Sequence, residues 1–324
     1  MSTTGLPGAM STTGVPDTAG ATSGAGGGVP AAARRRRPAR RPGRAGAGRA
    51  FGPVSRTVVV AVLAVASVVA VGPLLWLVST SFKSRGDVFS VPPELIPTQP
   101  TLDNYAYVWG QADVQRYFAN SLIVSVGTVL LNVAAAALLG FALGRFRFRG
   151  RRLLFLLGLS TMVIPFPAIM LPLFIATKEM GLTDNLLGII IPTAAMNLWL
   201  SVYILREAFG GLPDELEEAA VIDGCSPARL LFRVMLPLVK APLATSAILV
   251  FTLTWSDFLW PLVIMRDHGR FTISVGLQYF MSTLTSNWHH IAAIAVIASL
   301  PVVVIFLVLQ RFFFSDVLAG STKG

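Results

Sequence analysis

A chain of 324 residues that is 54% hydrophobic and only 13% charged lies far from a soluble domain, where about a quarter of residues carry charge. Its mean hydropathy of +0.68 marks an integral membrane protein, and its net charge of +10 does not mark a nucleic-acid binder, because the arginines gather at Arg34–Arg56 and Arg145–Arg152, beside apolar runs. One cysteine, Cys225, excludes an internal disulfide, and three histidines (His268, His289, His290) without H-E-x-x-H spacing speak against a metal enzyme.

Residues 1–56 are rich in Gly, Ala, Pro, Thr and Arg and lack the apolar periodicity that offsets the entropy of ordering, so they read as a disordered basic cytoplasmic tail. Within it MSTTGLP at Met1 recurs as MSTTGVP at Met10. The run Arg34–Arg44 suits anionic headgroups, and the apolar run that follows is too long for the core of a twin-arginine export signal. Apolar spans of bilayer length come next, near Thr57–Ser79, Phe118–Leu143, Leu153–Ala176, Leu186–Leu205, Leu243–Met265 and Ile291–Phe312. The prediction is an all-α membrane protein with six transmembrane helices between residues 57 and 312, followed by a short tail, 313–324.

Placing both termini in the cytoplasm puts Arg34–Arg56, Arg145–Arg152, Arg206, Arg229, Arg233, Lys240, Arg311 and Lys323 inside. Only Lys83, Arg85, Arg116, Lys178, Arg266 and Arg270 then remain outside, which is the asymmetry that sets orientation in a plasma membrane. On the outer side, Lys83–Tyr117, with Pro92, Pro93, Pro97 and Pro100, and Asp267–His290 read as long loops. Tyr105, Tyr107 and Trp109 suit the headgroup interface or a protein docking from outside, and His289 and His290 read as loop residues.

Polar groups inside spans are costly, so Asn120, Asn132, Asn197 and Asp257 stand out. Each has two readings, an interhelical hydrogen bond or contact with a passing solute. Asn132, Asn197 and Asp257 are the candidates for the solute pathway. Pro165, Pro167 and Pro172 predict a broken third span, a geometry that often lines transport cavities.

The one strongly polar segment between spans is Leu212–Pro242, inside the predicted cytoplasmic loop 206–242. Asp214, Glu215, Glu217 and Glu218 follow Pro213, so a proline at the first helical position and acids in the first turn predict a helix start. Gly224 is a natural stop, and Ser226 with Pro227 opens a second helix. Two short helices broken at a glycine make a firm knob.

Glu218-Ala219-Ala220, Asp223-Gly224 and Leu236-Pro237, with Phe232 in the aromatic region, resemble the EAA motif of the membrane subunits of binding-protein-dependent ABC importers. NSLIVSVGT, FALGRFRFRG, MVIPFPAIMLPLF, GLTDNLLGIIIP, TWSDFLWPLV and the terminal AGSTKG extend the likeness from about Phe118 to Gly324. They are similar to the carbohydrate-uptake branch, and within it to MalG-type subunits. The resemblance implies a MetI-like type I importer permease fold. It also implies partners: a second permease subunit forming a heterodimer, two ATPase subunits, an extracytoplasmic solute-binding protein and membrane lipid, with no nucleic acid.

By the same resemblance the knob docks on an ATPase. Glu218 and Asp223 would supply polar contacts or caps, Ala219 and Ala220 close approach, and Gly224 the bend, while Phe232, Leu236 and Pro237 anchor the second helix. Cys225 stands where a small alanine is common, Pro242 falls one place late, and Ser315-Asp316-Val317 replaces a Gly-Leu before the terminal motif. No G-x-x-x-x-G-K-[ST] occurs and none of the four lysines follows a glycine, so the chain has no phosphate-cradling loop. Cofactors are therefore expected to be none in this chain, ATP and Mg being used by the ATPase subunits. Three rivals compete: an ion- or proton-coupled secondary transporter, for which Asp257 is the supporting acid; an importer permease for a non-sugar solute such as glycerol phosphate; and a membrane scaffold without transport.

Overall fold

A computed structural model of the chain describes residues 53–110, 113–283 and 287–321, and among them every regular element is helical. The chain divides into two units, Met1–Val59 and Val60–Gly324. Of the first, only the opening turns of α1 (Pro53–Ser81) are described; the rest of the predicted tail 1–56 lies outside the described residues. Proline suits the first position of α1, where an N–H would have no intrahelical acceptor.

The second unit is built on α3 (Val114–Arg145), which packs along α6 (Leu187–Met196), α7 (Leu198–Gly210) and α11 (Lys240–Trp255). Two glycines set the approach of α3 to α7. A Cβ on Gly140 would lie 2.9 Å from the Leu205 Cβ, and one on Gly144 would lie 3.1 Å from the Arg206 carbonyl oxygen. Small residues four apart let two membrane helices bring their backbones together. One apolar cluster on α3 gathers Tyr117, Val124, Trp255, Trp260 and Ile294, and a second gathers Phe141, Leu205, Phe209, Leu231 and Met235.

Among the described residues, three helical stretches are long and apolar enough to cross a membrane: Arg56–Ser81, Val114–Arg145 and Trp288–Val308. Three helix pairs reach that length only as broken spans: Arg151–Val163 with Phe166–Glu179, bent by 103°, Leu187–Met196 with Leu198–Gly210, by 48°, and Pro227–Leu238 with Lys240–Trp255, by 82°. The count of six predicted from sequence is reached with each bent pair taken as one.

The third span, α4 (Arg151–Ser160) and α5 (Phe166–Glu179), breaks before Pro165, which drives Ile164 into extended backbone with ψ 119°. The predicted fifth span to Met265 stops at Trp255, and α12 (Leu259–Ile264) resumes after Ser256–Phe258.

The two predicted outer loops carry helices. In the first lies α2 (Asp103–Gly110), whose buried Asn104 donates Nδ2 to the carbonyls of Ser81 at 2.9 Å and Lys83 at 2.8 Å. Tyr105 and Ser81 share a hydroxyl–hydroxyl bond of 2.6 Å, Tyr107 stacks on His290 at 4.3 Å, and Trp109 meets Phe118. These aromatics are tied to neighbouring helices, with Tyr107 and Trp109 still 36% and 44% exposed. In the second lies α13 (Ile273–Thr283); ahead of it Asn120 donates Nδ2 to the carbonyls of Gly269 and Phe271, both at 3.0 Å. His289 and His290 belong to the first turn of α14 (Trp288–Ser321), which carries helix through most of the predicted C-terminal tail. Helices of eight and eleven residues give too few turns for an apolar period to stand out from a loop.

Candidate functional site

The polar segment after α7 folds as an elbow. α8 (Asp214–Ile222) starts after Pro213, whose backbone at φ −57° and ψ 139° places it at the cap rather than in the first turn. Asp214, Glu215 and Glu217 complement the positive end of the helix dipole. The helix closes on Gly224 at φ +74°: the Cys225 N–H donates to the Ala220 carbonyl and the Gly224 N–H to the Val221 carbonyl, both at 2.9 Å. That pair of bonds is a Schellman closure, which needs a left-handed residue at the glycine position.

Ser226 then caps α9 (Pro227–Arg229), its Oγ accepting the Arg229 N–H at 3.4 Å. A π-helical turn over Leu230–Met235 leads into α10 (Leu236–Leu238). The wide turn sets Leu230, Leu231 and Met235 inward, where they are buried with Phe141 and Phe209. Phe232, expected among the anchors, is 62% exposed instead, and Pro237 is exposed as well; Leu236 packs partly buried against the cluster.

Arg145, the last residue of α3, holds the elbow. Its side chain is 3% exposed; Nε lies 2.8 Å from Glu217 Oε2 and Nη1 3.0 Å from Asp214 Oδ1. Nη1 also donates to the Leu212 carbonyl at 3.0 Å. A planar fork of donors bonded in several directions fixes orientation as well as distance. Sequence reasoning counted Arg145 only among the inside charges, because its partner Glu217 lies 72 positions away. The available signal was an arginine ending a span ahead of an acidic helix start.

A cleft of about 610 Å³ beside this clamp is lined by Arg145, Arg147, Asp214, Glu217, Glu218 and Ile222, among others. On the elbow's open side Val221 is 62% and Ile222 85% exposed. Glu218, Ala219, Asp223 and Gly224 are exposed with them, whereas Ala220 is buried in the second apolar cluster. The elbow therefore presents an apolar tip within a polar rim, on a base fixed to α3.

The three solute-path candidates are not gathered in one place. Asn132 is buried and joins three helices, donating Nδ2 to the Ala194 carbonyl at 2.8 Å and accepting the Ser201 hydroxyl at 2.6 Å. Asn197 sits at the bend between α6 and α7, donates Nδ2 to the Thr193 carbonyl at 3.0 Å, and lines a cleft of about 520 Å³ with Thr161, Phe166 and Trp199. Asp257 lies at the break between α11 and α12, with the backbone N–H groups of Trp260, Leu259 and Phe258 against its carboxylate. Among the described residues no three His, Cys, Asp or Glu side chains converge as metal ligands.

A family model described as "Binding-protein-dependent transport system inner membrane component" matches residues 136–318. The arabinooligosaccharides transport system permease protein AraQ of Halalkalibacterium halodurans is 36% identical over 259 residues, covering 79% of this chain and 92% of that protein. The diacetylchitobiose uptake system permease protein NgcG of Streptomyces coelicolor is 32% identical over 265 residues, covering 81% and 87%. A crystal structure of a bacterial ABC transporter involved in import of the acidic polysaccharide alginate contains a chain that superposes with a TM-score of 0.72 at 25% identity, covering 81% of this chain and 99% of that one.

Proposed function

The chain belongs to the family of binding-protein-dependent transport system inner membrane components, and from that premise we propose that its elbow converts ATP hydrolysis in partner subunits into a change of solute access. The chain is the permease subunit of an ABC importer. The observation that carries the coupling role is the clamp of α8 onto the end of α3 by Arg145, with Val221 and Ile222 left bare beyond it. Bare apolar side chains at the tip of a fixed base suit docking into a groove of another protein.

When two ATPase subunits close on ATP and Mg, the docked tip moves with them. Displacement passes through Arg145 into α3, and through the π-helical turn and the 82° bend into α11. α3 is locked to α7 by the close contacts at Gly140 and Gly144, so these helices swing as a body and reopen the path between the two faces of the membrane. Glu218 and Asp223 line the rim of the docking surface, Ala219 lets the partner approach closely, and Gly224 sets the bend. The distribution of Arg and Lys supports a cytoplasmic elbow and cytoplasmic termini in the plasma membrane.

The solute is a sugar or oligosaccharide handed over by an extracytoplasmic binding protein, a reading supported by the solutes named for the two relatives. The cleft at Asn197 offers an amide beside the Trp199 ring, a pairing of polar and apolar contacts suited to a sugar face. A second permease subunit completes the pathway. The chain carries out no covalent chemistry. Proton coupling through Asp257 would need a relay partner, and its carboxylate faces backbone amides.

Purification of the tagged full-length chain from its host membrane tests the docking. ATPase subunits should accompany the wild type and be depleted severalfold by Val221→Asp with Ile222→Asp, while the second permease is retained. Equal recovery of the ATPases with the variant would overturn the reading.

A further inference from the structure

We infer that the cavity between the start of α4 and the end of α7 holds the headgroup of an anionic phospholipid. The cavity, of about 850 Å³, is lined by Arg151, Arg152 and Arg206 together with Leu153, Phe155 and Leu156. The Arg206 guanidinium lies over the Phe155 ring, 4.2 Å from its centroid, and pairs with Glu207 through Nη1. Its Nε is buried with no hydrogen-bond partner among the described residues. The Arg206 side chain is 25% exposed and lines the cavity, where a phosphate oxygen can pair with its charge.

Arg151 gives Nη1 to the Phe146 carbonyl at 3.0 Å, which leaves the rest of its fork free to face an anion, and Arg152 is exposed. With Glu207 counted against them, the three arginines keep a positive excess. Leu153 and Leu156 beside them are 62% and 51% exposed. A soluble phosphate makes no use of those leucines, whereas an acyl chain covers them. Basic pockets between membrane helices at the cytoplasmic edge hold lipid headgroups by this combination. The site depends on α4 and α7 lying in a bilayer, not on which solute is carried or on how the elbow docks.

The test uses the full-length chain in neutral detergent, with retained dioleoylphosphatidylglycerol measured by native mass spectrometry against dioleoylphosphatidylcholine and against inorganic phosphate as competitor. The expected result is selective retention of phosphatidylglycerol, lowered about fivefold by R152Q and by R206Q and unchanged by R149Q, which removes an equal charge outside the cavity. Equal loss with R149Q would reduce the effect to diffuse surface charge and overturn the proposal. Displacement by millimolar-range phosphate, or equal retention of phosphatidylcholine, would overturn it in favour of a free-anion site or no site.

Discussion

Arg145 Nε and Glu217 Oε2 meet at 2.8 Å, joining the last residue of a membrane-length helix to the first turn of a short acidic one. The guanidinium is 3% exposed and the Glu217 side chain 29%, so this bond is shielded in a way that the companion bond to Asp214, 76% exposed on the acid's side, is not. Arg145→Gln should loosen α8 by about 1–3 kcal/mol, the cost of leaving a shielded charged group without its partner. Hydrogen exchange should report it as faster amide exchange over 214–222 with α3 unchanged, alongside weaker ATPase stimulation by solute. Undiminished protection of α8 would count against the clamp.

Gly224 has no atom within 4 Å of where a Cβ would stand, so substitution there tests backbone conformation alone. At φ +74°, Gly224→Val should cost about 1–2 kcal/mol and Gly224→Asn distinctly less, since asparagine tolerates the left-handed region. Membrane insertion should be unaffected while solute-stimulated ATP hydrolysis falls in the order Gly, Asn, Val. Equal loss for Asn and Val would point to a contact with the partner instead.

The two asparagines in spans should separate cleanly. Asn132→Leu strands the Ser201 hydroxyl and the Ala194 carbonyl and should lower thermal stability by about 1–2 kcal/mol, leaving the apparent KM for solute unchanged in the surviving protein. Asn197→Ala should leave stability nearly intact and raise that KM, measured by uptake of radiolabelled sugar. The reverse pattern would exchange their roles.

Asp184 predicts a pH dependence. Burial acts to raise the pKa of its carboxyl, yet N–H bonds from Asp267 and Arg266, together with the charges of Arg270 and Arg266, outweigh it and hold it below the usual aspartate value. A carboxyl lowered on folding stabilises the fold above its unfolded value and loses that contribution as pH falls through the lowered one. Asp184→Asn should therefore flatten the acid limb of a melting-temperature profile without changing its slope on the alkaline side. An unaltered acid limb would remove Asp184 from the account.

The span count, the elbow with its break at Gly224 and the cap at Ser226 were legible in the sequence because each rests on local chemistry: apolar length, a left-handed glycine, a hydroxyl before proline. Arg145 was not legible as a clamp, since its partner lies 72 positions away and only the α3–α7 packing brings them together. Which side chains of the second helix face inward was not legible, because a six-residue π-helical turn buries Leu230, Leu231 and Met235 and leaves Phe232 exposed. The helices inside the two outer loops escaped notice for want of turns, and the break at Ser256–Phe258 because the apolar residues on both sides let Asp257 read as a polar group within one span.

The most direct test of the coupling account is the accessibility of the elbow's tip. In a Cys225→Ser background, Ile222→Cys should be alkylated by a membrane-impermeant maleimide only in inside-out vesicles stripped of ATPase subunits, and rebinding of those subunits should protect it. Labelling from the outside of intact cells, or labelling undiminished by bound ATPase, would contradict the account.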